Sequence, residues 1–173
     1  GMVCQWIHLY EMDESVLKTI LNTFLLSFPH ARGFTSVENN DLLLIGSMEP
    51  IRADFDELAR RMKQPRVAWD LERIGITRPF TLLSTQVFDQ DGMREWAGIG
   101  PVNSDDFPIV EYEAPRGFFY ADRVELPADY RLAGADNLLS RYLAGRDATA
   151  DELLETARYQ HAVVGPTYMV FST

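Results

Sequence analysis

Gly1-Met2-Val3-Cys4-Gln5-Trp6-Ile7-His8-Leu9-Tyr10, with Val16, Ile20, Phe24 and Phe28 following at a spacing of four, decides how this chain reads. The first ten residues are a near-continuous apolar and aromatic run. Such a run predicts a strand buried on both faces rather than one alternating between core and solvent. Asp13 offers a side-chain oxygen to cap a helix, and Glu14 sits at that helix's positive end. Leu17, Leu21 and Leu25 widen the apolar stripe enough to pack on a sheet, and Pro29 ends the helix. Arg32 to Val37 and Leu42 to Ile45 read as two short strands. Glu38-Asn39-Asn40-Asp41 between them is turn chemistry.

The opening is therefore strand, long helix, hairpin. A strand buried on both faces needs a neighbour at each edge, and the hairpin supplies only one. The other edge is left ready to pair. The expectation is a chain whose first half precedes Gly1. The other reading is a tag remnant, Gly1, ahead of a native Met2.

Gly1 to Trp6, then Asp13-Glu14, then Phe24 and Phe28-Pro29, resemble the fifth strand and following helix of the spermidine synthase family. The hairpin ending Leu42-Leu43-Leu44-Ile45-Gly46-Ser47 resembles that family's last two strands. Asn103 to Tyr112, with Asp105-Asp106-Phe107-Pro108 at its centre, is similar to a segment of divergent spermidine-synthase-like proteins. The resemblance covers roughly residues 1 to 116. Counting back from Phe28-Pro29 without gaps puts Trp6, not Gln5, at the family's strand-end Gln. The family's glycine-rich loop, ribose-holding acid and catalytic aspartate all precede this strand. The resemblance implies the C-terminal half of a methyltransferase-like Rossmann sheet within residues 1–116. It also implies a parent that moves an aminopropyl group from decarboxylated S-adenosylmethionine, or uses S-adenosylmethionine. The missing N-terminal half would be the first partner, and this chain alone would be inactive.

The fold class expected is α/β or α+β. It has about three strands, an antiparallel hairpin among them, and a mostly helical extension over 117–173. Chain length leaves room for about six helices. Pro50 is placed in the first turn of a helix that carries Ile51, Phe55, Leu58 and Met62. Val67, Ala68, Leu71 and Ile74 form the inner face of the next helix, and Gly75 terminates it. A third apolar segment runs from Arg78 to Phe88, Asp89 to Gly92 is a turn, and Met93 to Ala97 adds a helical turn. Gly98 to Pro108 is a long loop, Ile109 to Tyr112 a short strand, and Ala114 to Gly117 its end. Phe118-Phe119-Tyr120 is an aromatic cluster. Ala135 to Ala144 is helical and closed by Gly145. Thr149 and Glu152 have the spacing of a capping box, and Leu153, Leu154, Ala157 and His161 share one face of the helix behind it. Gly165-Pro166 ends that helix, and an apolar tail follows.

The net charge of −10 argues against sequence-independent binding of nucleic acid. An acidic surface attracts cations such as polyamines, and it also keeps a protein soluble. No apolar run approaches the length of a membrane span, and Cys4 is the single cysteine. A cytoplasmic setting is the expectation.

Four residues are candidates for substrate binding. Gln5 and Trp6 lie near the carboxyl end of the first strand, where ligands bind in open α/β sheets. Gln5 could hydrogen-bond an amine, and Trp6 could pack on an aliphatic stem or a cation. The competing reading is that both close the core under the helix. Asp105 and Asp106 could hold an amine or a divalent cation, or could simply turn the chain. Neighbouring residues of an extended chain point to opposite sides, which favours the turn. His8, His30 and His161 have no partners at ligand spacing, so no metal site is expected. Cys4, Trp69 and Trp96 read as core residues. The open edge of the first strand is the expected route to a homo-oligomer.

Overall fold

The computed structural model of the chain describes residues 1–36, 40–120, 123–126 and 137–164, the last four by backbone alone. In order these form β1 (Met2–His8), α1 (Glu14–Ser27), β2 (His30–Thr35), β3 (Asp41–Ser47), α2 (Phe55–Met62), α3 (Pro65–Arg73), α4 (Pro79–Leu83), β4 (Gln86–Phe88), α5 (Gln90–Ala97), α6 (Ile109–Tyr120), α7 (Leu138–Tyr142) and α8 (Ala150–Val164). The chain is mixed α/β. One sheet runs in the order β1-β3-β2-β4, with each neighbouring pair antiparallel. β1 and β2 are thus parallel to one another, with β3 between them.

α1 forms as its stripe predicts. Asp13 Oδ1 accepts from Ser15 N at 2.8 Å, and Val16, Leu17, Leu21 and Phe24 are buried. The register pairs Cys4 with Ile45 and Trp6 with Leu43. Met2, Cys4, Trp6 and His8 therefore share one face with Leu43 and Ile45. Val3, Gln5 and Ile7 share the other with Leu42, Leu44 and Gly46. The second face meets α1, and there the main core gathers Ile7, Leu9, Leu17, Leu21, Leu42, Leu44, Phe88 and Met93. At Gly46 a Cβ would come within 2.6 Å of Phe28 Cγ and 2.7 Å of Phe24 Cζ. The two rings, 4.8 Å apart, lie directly on the β3 backbone. Gly46→Val is expected to cost about 2 kcal/mol by overpacking. Urea unfolding checks it, as a lower midpoint at an unchanged slope.

Several expectations are corrected. β1 is not buried on both faces: Met2 to Trp6 are all exposed, and only Ile7 is buried. An apolar run shows what a strand could bury, whereas covering it takes a second layer, and in β1 only Ile7 joins the core. Among the described residues the sheet has four strands rather than about three. The apolar segment 78–88 splits because Ser84 and Thr85 hydroxyls donate to the Thr81 and Leu82 carbonyls and close α4. Thr35 N–H then bonds Thr85 C=O at 2.9 Å and leads into β4. α2 begins at Phe55, not near Pro50, because Asp54 accepts from Glu57 N at 2.9 Å. Asp89 likewise caps α5, so 90–92 are helical rather than a turn. No residue of α3 is buried: Val67, Trp69 and Ile74 are exposed, although Gly75 at φ 77° terminates the helix as expected.

Ile109 to Tyr112 is helical, not extended, and Ala114 to Gly117 does not break it. Pro115 forgoes one helical hydrogen bond. Tertiary packing holds the helix nonetheless, because Gly117 brings its backbone against Glu11 and Met12. The division expected at 116/117 falls inside α6.

α8 carries its capping box: Thr149 Oγ1 accepts from Glu152 N at 3.3 Å, and Glu152 Oε2 accepts from Thr149 N at 2.9 Å. Among its described side chains Glu152, Thr156 and Tyr159 are buried, while Leu153 and Leu154 are half exposed. The helix docks through polar contacts. Thr156 shares a hydroxyl hydrogen bond with Thr81 at 3.1 Å, and Glu155 caps the amino end of α4. The turn at 38–39, the His161 side chain, Gly165-Pro166 and the apolar tail lie outside the described residues.

Candidate functional site

The face of the sheet opposite α1 opens into a groove of about 910 Å³. Arg32 and Phe34 of β2 and Leu43 and Ile45 of β3 form one wall. Phe55 and Leu58 of α2 lie across it, and Ile76 and Tyr159 close the far end. The lining is mostly apolar, with Arg32, Arg52, Arg61, Asp41, Asp54 and Glu57 as charged groups. Glu57 accepts from Arg60 and Arg61 at 2.6 to 2.7 Å, and these bonds hold its carboxyl down at about 2. Burial raises the Tyr159 hydroxyl.

The same face continues onto β1 as an aromatic ladder. Trp6 and His8 rings are 5.9 Å apart, and His8 and Tyr10 rings 4.9 Å. Trp6 is 54% exposed and Tyr10 44%. Alternate residues of one strand stack in this way because side chains repeat every second position. A strip of partly exposed rings at the carboxyl end of a strand can stack on a planar group or accept a cation on its faces.

Of the four candidates, Trp6 faces the groove side and Gln5 the α1 side. Neither closes the core under α1: both are exposed, and Gln5 Nε2 donates to the Trp6 carbonyl at 3.0 Å. Asp105 and Asp106 occupy the exposed turn between Ser104 and Phe107, whose backbones bond each other at 3.0 and 3.2 Å. Asn103 N–H bonds Thr23 Oγ1, and Gly117 abuts Glu11. α6 therefore runs antiparallel to α1. The Asp pair lies by the carboxyl half of α1, while Trp6 lies toward the strand end that leads into its amino end. The structure does not bring the two pairs together. Among the described residues no group of three His, Cys, Asp or Glu could hold a metal ion, and no helix is long and apolar enough to cross a membrane.

Two expectations about core residues fail. Trp69 is 61% exposed beneath Arg73, whose guanidinium carbon lies 4.8 Å from the ring centroid. Cys4 is exposed on the groove-side face of β1. Iodoacetamide is expected to label Cys4 in the folded protein at the rate of a free thiol. Labelling that needs denaturant would contradict the placement. Trp96 does pack on the core, 5.6 Å from Phe88.

Sequence reasoning missed the groove. Its signal was present in Leu42-Leu43-Leu44-Ile45, a run apolar at both parities, which announces a second buried face. Trp6, His8 and Tyr10 at a spacing of two were likewise legible as one face. Comparison of the chain with protein-family models, curated proteins and solved structures finds no match.

Proposed function

We propose that this chain is the substrate-side, C-terminal half of a spermidine-synthase-like α/β domain, completed by a preceding segment that pairs with β1. One observation carries the reading. β1 and β2 are parallel strands of one sheet connected through α1, a crossover of the kind that builds α/β sheets. The antiparallel β3 between them matches the mixed edges that such sheets carry. Met2 to Trp6 expose both faces, and among the described residues no strand pairs with the other edge of Met2–His8. A further strand with helices on either side would bury that surface.

In the family that the sequence resembles, an aspartate deprotonates an amine, which attacks the aminopropyl group of decarboxylated S-adenosylmethionine. No residue here corresponds to the glycine-rich loop or to that aspartate. This chain's part is therefore the amine-side wall. The Trp6–His8–Tyr10 ladder offers ring faces to an aliphatic cation, and the net charge of −10 draws such cations in. Trp6 rather than Gln5 takes the strand-end role, in agreement with the gapless count back from Phe28-Pro29.

The test is to read the coding sequence upstream of Gly1 and to assay the longer product with amines and decarboxylated S-adenosylmethionine. A glycine-rich loop upstream, and transfer that falls at least about tenfold in Trp6→Ala, is the expected result. A native start at Met2, or a longer product with no affinity for the donor, sinks it. The exposed apolar edge favours a second reading, self-association through β1 without catalysis. Sedimentation separates the two, since this reading requires a stable dimer of the chain alone.

A further inference from the structure

Tyr112, Pro115 and Phe119 recur along α6 at steps of three and four, so they share one helical face. That face lies opposite the one that docks, where Val110 and Ala114 pack on the main core and Gly117 abuts Glu11. A helix with a core on one side ordinarily turns polar residues outward. Here Tyr112 and Phe119, with Phe118 and Tyr120 on the flanks, are 63% to 90% exposed among the described residues. The Phe119 and Tyr120 rings are 6.4 Å apart, which makes the patch continuous. None of the four joins the main core or lines the groove.

At about 200 Å² for each ring, the four expose roughly 600 Å². That is the top of the range for the largest apolar patch on a monomer. Two such patches face to face come to about 1,200 Å², the size at which stable protein interfaces begin. The stripe is also self-complementary. Tyr112 and Phe119 stand equally far to either side of the Pro115–Arg116 peptide bond. Two copies of α6 that cross antiparallel at that bond set Tyr112 of each copy against Phe119 of the other. Aromatic pairs of this kind attract beyond the area that they bury. Arg116, the only basic residue of α6, donates to Glu113 of its own helix at 2.9 and 3.1 Å, so it brings no unpaired charge to the contact.

We propose that a second copy of this chain docks on α6, the two helices packing antiparallel about a twofold axis at Pro115–Arg116. Exposed rings could also enter a lipid surface, but helices that lie on membranes carry Lys and Arg beside the apolar face. α6 carries Glu111 and Glu113 there, in a chain of net charge −10. The contact uses neither the Trp6 ladder nor the edge of β1, and it does not depend on the proposed transfer reaction.

Sedimentation equilibrium of the whole chain tests this. A monomer–dimer equilibrium with a Kd near about 10 μM is expected. Tyr112→Ser and Phe119→Ser are each expected to raise that Kd at least about tenfold, because every substitution acts twice in a twofold dimer. Circular dichroism spectra that match the parent show that both variants fold. Single cysteines in a Cys4→Ser background read the arrangement. Mild oxidation should link Pro115→Cys, beside the axis, into disulfide dimers. It should not link Glu111→Cys, whose two copies lie about 13 Å apart along the helices. A chain that stays monomeric up to about 1 mM overturns the proposal, and one that then floats with phosphatidylcholine vesicles assigns the face to lipid. A dimer unchanged in both serine variants also overturns it. Linking of Glu111→Cys as readily as Pro115→Cys overturns the antiparallel arrangement. In Phe119→Ser any dimer that remains belongs to β1, so this contact and the self-association of β1 fail separately.

Discussion

Gly117→Ala lowers the stability of this protein by about 2–3 kcal/mol, although the same change inside an exposed helix raises it by up to about 1 kcal/mol. The reversed sign comes from one contact. A Cβ on Gly117 would lie 2.3 Å from the Glu11 carbonyl oxygen and 3.3 Å from Met12 Cα. The obstacle is backbone, and it cannot rotate aside. Glu11 already sits at φ 52°, a left-handed conformation unusual for a residue with a side chain. The β1–α1 connection is thus fixed where α6 crosses it. The methyl group must push α6 outward and open its contact with α1, where Val110 and Ala114 pack on the core. Thermal unfolding reads the result. For a chain of this length the midpoint falls by roughly 4–12 °C. A midpoint at or above that of the parent would show that α6 does not dock through Gly117.

Glu155→Gln removes the contact that fastens α8 to α4, and its effect depends on pH. Glu155 accepts from the backbone N–H of Thr77 and of Arg78, both at 2.9 Å, from the Thr77 hydroxyl, and from Arg78 Nη1 at 2.5 Å. Burial works to raise this carboxyl, but the hydrogen bonds outweigh it and hold it at about 2, against an ordinary 4.5. Glu152, held chiefly by Arg146, is also at about 2. Both folded values lie below the unfolded ones. The stabilisation is therefore complete above about pH 5 and is lost as pH falls from 4.5 toward 2. After solvent screening each carboxylate contributes about 1 kcal/mol at neutral pH. Glu155→Gln should then melt below the parent at pH 7, and the gap should close toward pH 3. A gap that stays constant with pH would remove the charge from the account.

How much of this was legible depends on what each signal reports. α1, its Asp13 cap, Gly75 and the Thr149–Glu152 box are local devices, and all stand as read. β1 was misjudged because an apolar run records an appetite for burial and says nothing of what covers it. α6 was misjudged because Ile109 to Tyr112 are strand formers by composition, and the close approach at Gly117 overrides that preference. The buried face of α8 escaped because its inward residues include the polar Glu152 and Thr156, the first paired with Thr149 and Arg146 and the second with Thr81, far away in the chain. The Trp6 ladder follows from a period of two in one strand.

The edge of β1 that no strand among the described residues pairs with is the centre of the account, and amide hydrogen exchange reads it most directly. The amides of Met2–His8 should be compared in this chain alone and in the product that begins upstream of Gly1. Fast exchange of the amides not bonded to β3 in the chain alone, and slowing by at least about tenfold in the longer product, is the predicted result. Equal rates in both would show that no further strand pairs with β1 and would contradict the proposed completion of the sheet.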